Sequence, residues 1–437
     1  MHILIISSGD FFSTYGGGQV YVKNLVDEMI RQKRRVTLLS YVDRNSGIAR
    51  KDYHGIDLYE VSQDAKEEDI SSTIQEISPD VIHANGHKAQ ACRIGKSLRI
   101  PVVVTAHHGG IVCPAASLMN SNYEICKTTL SIKRCLKCVL GNTRGGIYAY
   151  PILRLFSEKS LLTIGSWFKR HLFVYWVTPT CMAGLQIRQK EKEWQGIISQ
   201  CNRMIAPCYS IAEAMQRNGL PSNKTSVIPH GIPIPVYKPK PITTKHCRKF
   251  YYIGRICHIK GIHIMLAAFH KINHDDIELH IIGGTGNKRD ARYMERYRKE
   301  YASDNRIKWY GEISHNQLED LIKDFDVMIH PAVCLEIFGL NIAEAIAIGK
   351  PVLATRCGGA EMQVVDGKNG WLIEPNDIEA LRNKIEDLVL KGFSFQPADF
   401  KVVSIEEHCN ELYKVYQGVL DNKSQSFNRN ETKTDTL

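Results

Sequence analysis

Short apolar runs bounded by turn residues alternate with longer amphipathic stretches, and this alternation runs through the chain twice. Such runs are long enough for buried strands and too short for buried helices. Strands separated by helices imply parallel sheets with right-handed crossovers. In the first set, the opening MHILIISS, Val36–Ser40, Val81–Ala84 and Val102–Ala106 read as strands, and Gly18–Arg31 as a helix. In the second, Phe250–Ile253, Leu279–Ile282, Val327–His330 and Val352–Thr355 read as strands, and Gly261–Ile272 and Leu318–Lys323 as helices. The chain of 437 residues exceeds one ordinary core.

The expected organisation is a Rossmann-like domain over 1–206, a proline-bearing connection over 207–249 and a second Rossmann-like domain over 250–395. A helical segment over 396–420, with its helix at Ile405–Val419, is expected to cross back over the domains. The polar tail 421–437 has almost nothing to bury and is expected to be disordered. Residues 109–176 break the alternation and read as an insertion in the first domain.

Composition removes several function classes. No uncharged apolar run reaches the length of a spanning helix. The start lacks a secretory hydrophobic region and a cleavage site, so a cytoplasmic protein with reduced cysteines is expected. The net charge is +10, but its cations are dispersed, which argues for anionic small ligands or a membrane surface over nucleic acid.

The candidate chemistry sits at strand ends. Gly16, Gly17 and Gly18 open the first helix, where backbone N–H groups can approach a phosphate. A tight strand-to-helix turn would use the same glycines. His107 ends the apolar run Pro101–Val104 and can contact a hydroxyl or move a proton. Arg255 and Lys260 flank the turn after Phe250–Ile253, and a guanidinium and an ammonium suit a diphosphate. Gly283, Gly284 and Gly286 form another glycine-rich turn.

The strongest signal is the segment from Pro331 to Ala345. Glu336 lies in the loop after a strand, and Glu344 lies a turn into the next helix. Two such carboxylates can accept hydrogen bonds from vicinal hydroxyls of a sugar and a ribose. Between them, Gly339, Leu340 and Asn341 place a helix N-terminus where a phosphate could sit.

The ordered set Gly254-Arg255, Lys260-Gly261, Pro331, Glu336 to Gly339, Glu344-Ala345, Gly349 to Val352 and Gly358-Gly359 resembles family-4 retaining glycosyltransferases of the GT-B fold. The N-terminal glycines, Asp80 to His83, and Thr105 with His107 are similar as well. The resemblance implies two Rossmann-like domains facing each other across a cleft. It implies Glu336 on the transferred sugar, Glu344 on ribose, Arg255 and Lys260 on the diphosphate, His107 near the reaction centre, and Gly17 and Gly18 beside the diphosphate. It implies a nucleotide-diphosphate donor, UDP before GDP, and a glycan or lipid-linked acceptor in surface polysaccharide synthesis. No catalytic cofactor is implied. Two positions depart: His108 stands where relatives often carry Asp, and Glu361 falls one place before their Glu.

Cys113, Cys126, Cys135 and Cys138 follow the spacing C-x12-C-x8-C-x2-C. They are read either as ligands of a structural zinc or iron–sulfur cluster or as four free thiols. Tyr148 to Trp176 mixes aromatics with cations and is read either as packed helices or as a peripheral contact with the inner face of a membrane. The competing functions are a nucleotide-sugar epimerase or hydrolase of the same fold and a non-enzymatic nucleotide or nucleic-acid binding protein.

Overall fold

The structure is a computed structural model describing residues 1–9, 16–43, 47–120, 124–143, 145–171, 178–235, 241–313 and 315–434. It divides into two compact units. The first comprises Met1–Leu118, Cys126–Gly231 and Ile405–Leu437, and the second Met119–Ile125 and Ile232–Ser404.

The first unit holds β1 (His2–Ser8), β2 (Arg35–Val42), β3 (Ile48–Tyr53), β4 (Ile56–Ser62), β5 (Val81–Ala84), β6 (Val102–Thr105), β7 (Arg203–Ala206) and β8 (Thr225–Val227). They form one sheet in the order β3-β4-β2-β1-β5-β6-β7-β8. Every pair is parallel except the β3–β4 hairpin. The strands of its centre are buried along nearly their whole length, as parallel strands covered on both faces must be.

The second unit holds β9 (Ile242–Thr244), β10 (Lys249–Ile253), β11 (Glu278–Ile282), β12 (Ile307–Gly311), β13 (Val327–His330), β14 (Val352–Thr355), β15 (Gly370–Ile373) and β16 (Phe393–Phe395). Six make a parallel sheet in the order β12-β11-β10-β13-β14-β15, and β9 pairs with β16 antiparallel. Its core packs Phe250, Phe269, Leu279, Val327 and Leu353 together.

In an open parallel sheet, chain connections leave in opposite directions where the strand order reverses, and the crevice there receives ligands. The reversal falls between β1 and β5 in the first sheet and between β10 and β13 in the second.

The last helix, Ile405–Thr434, belongs to the first unit. His408 Nε2 meets the Tyr21 hydroxyl at 2.8 Å, and its Nδ1 meets the Pro229 carbonyl at 2.7 Å. The Tyr416 hydroxyl meets His83 Nδ1 at 2.7 Å, while His83 Nε2 meets Thr105 Oγ1 at 2.7 Å. The helix also runs on through most of 421–434, where disorder is expected from composition. Helical hydrogen bonds are local, so a docked first half can propagate a helix into a polar segment.

Candidate functional site

In the second unit, β10 ends in Gly254-Arg255 and a tight turn, His258–Lys260, follows. Gly261 then takes φ +72, and a Cβ there would stand 1.7 Å from the Pro331 carbonyl oxygen. Only glycine lets the turn after β10 lie this close against the exit of β13. Val333 N–H closes the contact on the Ile259 carbonyl at 2.9 Å.

That approach joins Lys260 to Glu336, whose ammonium and carboxylate form a short ion pair. His330, the last residue of β13, brings Nε2 to 3.3 Å from the same carboxylate oxygen. Burial opposes ionisation of Glu336, but the Lys260 ammonium and the His330 ring outweigh it and hold the carboxyl well below its ordinary range. Lys260, opposed by burial in turn, is raised by Glu336. The loop carrying Glu336 is clamped by its N–H on the Cys357 carbonyl at 2.9 Å and by Gly359 N–H on its own carbonyl. A Cβ on Gly359 would meet the Phe338 backbone at 2.4 Å.

The helix Leu340–Ala347 starts after Gly339, at φ +81, with no side-chain cap and no acidic residue in its first turn. Its first N–H groups are therefore available to an anion. Asn341 donates to the Ile253 carbonyl at 2.7 Å and lies 3.3 Å from His330 Nδ1, so it positions the histidine. Glu344 is exposed on the same helix. Arg255 is exposed, with its stem beside Gly286. Glu361 accepts from Gly358 N–H at 3.0 Å and so caps its own short helix.

In the first unit, the reversal between β1 and β5 opens on a cavity of about 630 Å³, lined among others by Ser8, Gly18, Asn85, Lys88 and His107. His107 Nε2 meets Asn85 Oδ1 at 2.7 Å, and its ring lies 5.0 Å from Tyr21 and 5.3 Å from His230. Burial and then the His230 ring hold His107 far below the ordinary histidine value, so it is neutral. Gly17 and Gly18 open the helix Gly17–Arg31, which also lacks a side-chain cap and acidic residues in its first turn. Among the described residues, a Cβ on Gly18 meets nothing within 4 Å.

The expected residues thus form two sets: Lys260, Glu336, Gly339, Leu340, Asn341 and Glu344, with Arg255 nearby in sequence, in the second unit; and Gly17, Gly18 and His107 in the first. Sequence reasoning missed His330 and Lys88. The available signals were a histidine closing a predicted strand and a lysine following the Asn85-Gly86 turn.

Cys113, Cys126, Cys135 and Cys138 take part in no disulfide among the described residues. Among the described residues, no group of three or more histidine, cysteine or acidic side chains is gathered to hold a metal. Cys135 and Cys138 share the helix Ile132–Gly141, whereas Cys113 and Cys126 precede it. Burial, joined by the neighbouring Cys113, Cys126 and Cys138 thiols, pushes the Cys135 thiol up to about 11.

The aromatic-basic stretch forms helices Gly146–Leu153 and Glu158–Arg170. They leave Tyr148 84%, Leu155 77% and Trp167 54% exposed. Phe173, Tyr175 and Trp176 lie outside the described residues. Among the described residues, no helix is long and apolar enough to cross a membrane.

Residues 237–397 match the family model for glycosyl transferases group 1. The chain is 24% identical over 221 residues to the putative colanic acid biosynthesis glycosyltransferase WcaL of Escherichia coli, covering 47% of this chain and 53% of that one. It is 28% identical over 198 residues to the lipopolysaccharide 1,2-N-acetylglucosaminetransferase of Salmonella typhimurium, covering 42% and 52%. The chain thus spans about half the length of these curated relatives. The structure is similar to that of Anabaena HepE in complex with UDP, with a TM-score of 0.58 at 17% identity over 98% of this chain and 100% of that one. The α/β fold with two parallel sheets is the GT-B type.

Proposed function

We propose that the chain is a retaining glycosyltransferase that moves a hexose-type sugar from a nucleoside diphosphate, UDP first, to a glycan or lipid-linked glycan. The observation that carries this reading is the Lys260–Glu336–His330 cluster at the β10/β13 reversal, beside an uncapped helix N-terminus. The cluster supplies a cation and a helix end for phosphate and an ionised carboxylate for sugar hydroxyls.

In this reading the Lys260 ammonium and the N–H groups at Leu340 and Asn341 carry the diphosphate, with Arg255 reaching it from the solvent side. Glu336 accepts hydroxyl hydrogen bonds from the transferred sugar and Glu344 from ribose. Departure of the nucleoside diphosphate breaks the bond from its terminal phosphate oxygen to the anomeric carbon. An acceptor hydroxyl bonds to that carbon on the same face, and its proton passes to the departing phosphate. His107 stays neutral and contacts the sugar.

The acceptor in this proposal is presented at the inner face of a membrane. Tyr148, Leu155 and Trp167 are exposed among Arg154, Lys159, Lys169 and Arg170, which suits an anionic interface. Cosedimentation with phosphatidylglycerol vesicles that weakens in Leu155→Ser/Trp167→Ser supports this; equal sedimentation of the two proteins sinks it.

The donor site is tested by thermal stability against a panel of nucleotides and nucleotide sugars, repeated with Glu344→Ala. A rise in Tm with one diphosphate nucleotide, lost in the variant, names the base. No rise with any of them removes the donor assignment.

A further inference from the structure

We propose that the first-unit cavity is an anion site built on Lys88 and Asn85, and that it takes a phosphate or diphosphate carried by the acceptor rather than by the donor. This deepens the transferase reading and rests on it only in naming the acceptor.

The site has four independent parts. Lys88 Nζ donates to the Asn85 carbonyl at 2.6 Å, and among the described residues it makes no ion pair with a carboxylate. The other cations on the cavity wall are occupied: Arg93 pairs with Glu67 at 2.6 Å and Lys190 with Glu193 at 2.7 Å. Asn85 is only 6% exposed, and while its Oδ1 takes the His107 ring, its Nδ2 has no partner among the described residues. A buried amide donor without a partner is costly, and a ligand oxygen in the cavity would satisfy it.

The third part is the helix Lys88–Leu98, whose first turn has neither a side-chain cap nor an acidic residue. The residue before it, His87, sits at φ +44, a left-handed conformation unusual for a residue with a side chain. Its ring is held there by stacking on Tyr41 at 3.4 Å. The fourth is the equally uncapped Gly17–Arg31 helix, whose Gly18 lines the same cavity. An ammonium, an amide N–H and two helix N-termini all present positive charge, and one anionic group can meet them together.

A donor diphosphate is already provided for by Lys260 and the Leu340–Ala347 helix. Phosphate on an acceptor, whether lipid-borne or on a soluble sugar, supplies the same charge.

The test is calorimetric titration of inorganic pyrophosphate into the full chain and into Lys88→Met, each with and without saturating UDP. Pyrophosphate is expected to bind the UDP-loaded chain and to weaken about tenfold or more in Lys88→Met, with UDP affinity equal in both. Equal pyrophosphate affinities overturn the site. A parallel fall in UDP affinity assigns Lys88 to the donor and overturns the acceptor claim. Lys88→Gln serves if Lys88→Met does not fold. A chain that fails to bind UDP but still binds pyrophosphate through Lys88 loses the donor reading and keeps this one. Displacement by farnesyl diphosphate assigns a lipid-borne group, and displacement by glucose 1-phosphate a soluble one. Displacement by neither overturns the acceptor source.

Discussion

Glu336 and Lys260 are both largely buried, so each is tolerable only while the other is charged. Lys260→Ala should cost on the order of 3 kcal/mol in urea unfolding, because it strands a carboxylate beside His330. Glu336→Gln keeps the volume and should lower transfer between about tenfold and a hundredfold, read as kcat/KM for the donor. The folded carboxyl lies below its unfolded value, so its stabilisation is full above the ordinary carboxyl value of about 4.3 and is lost as pH falls below it. Acid titration of Tm should therefore drop more steeply in wild type than in Glu336→Gln. Lys88 moves the other way. Burial and Lys190 lower it to about 8, against Glu193 and Cys92, which raise it. Pyrophosphate affinity should fall as pH rises through that value, as the ammonium loses its proton. Glu336 and Lys260 could be picked out from sequence because both follow predicted strands. His330 closes a predicted strand, but its partnership with Glu336 was not legible, since their meeting depends on how residues 331–336 fold back.

Among the elements, the glycines separate into two physical kinds. Gly261 and Gly359 face backbone atoms, whereas Gly18 faces open space. Gly261→Ala should therefore lower Tm and weaken UDP binding together, while Gly18→Ala should leave Tm unchanged. The central strands were legible because they are continuously apolar. The edges were not: β12 carries Lys308 and Gly311, and β15 opens on Gly370. The β3–β4 hairpin was missed too, although His54 and Gly55 take φ +50 and +84, the signature of a two-residue turn. Propensity sees buried strands easily, but edge strands borrow stability from neighbours that only the sheet supplies.

For the whole molecule, the double alternation was enough to read two parallel sheets, and the position of the last helix was enough to suggest a return. What it returns to was not readable, because the pairs Tyr21–His408 and His83–Tyr416 are hundreds of residues apart in sequence. Tyr416→Phe should cost about 1–3 kcal/mol in the first unit by leaving buried His83 Nδ1 without a partner, measurable as a shifted urea midpoint. The same return sets a timetable for synthesis. The second unit is complete once Ser404 has been made, but the first still lacks the helix that covers Tyr21 and His83. At ribosomal rates, residues 232–404 take on the order of ten seconds or more to emerge. The earlier-made unit thus finishes last, with the seam over Tyr21 and His83 open until the ribosome delivers His408 and Tyr416.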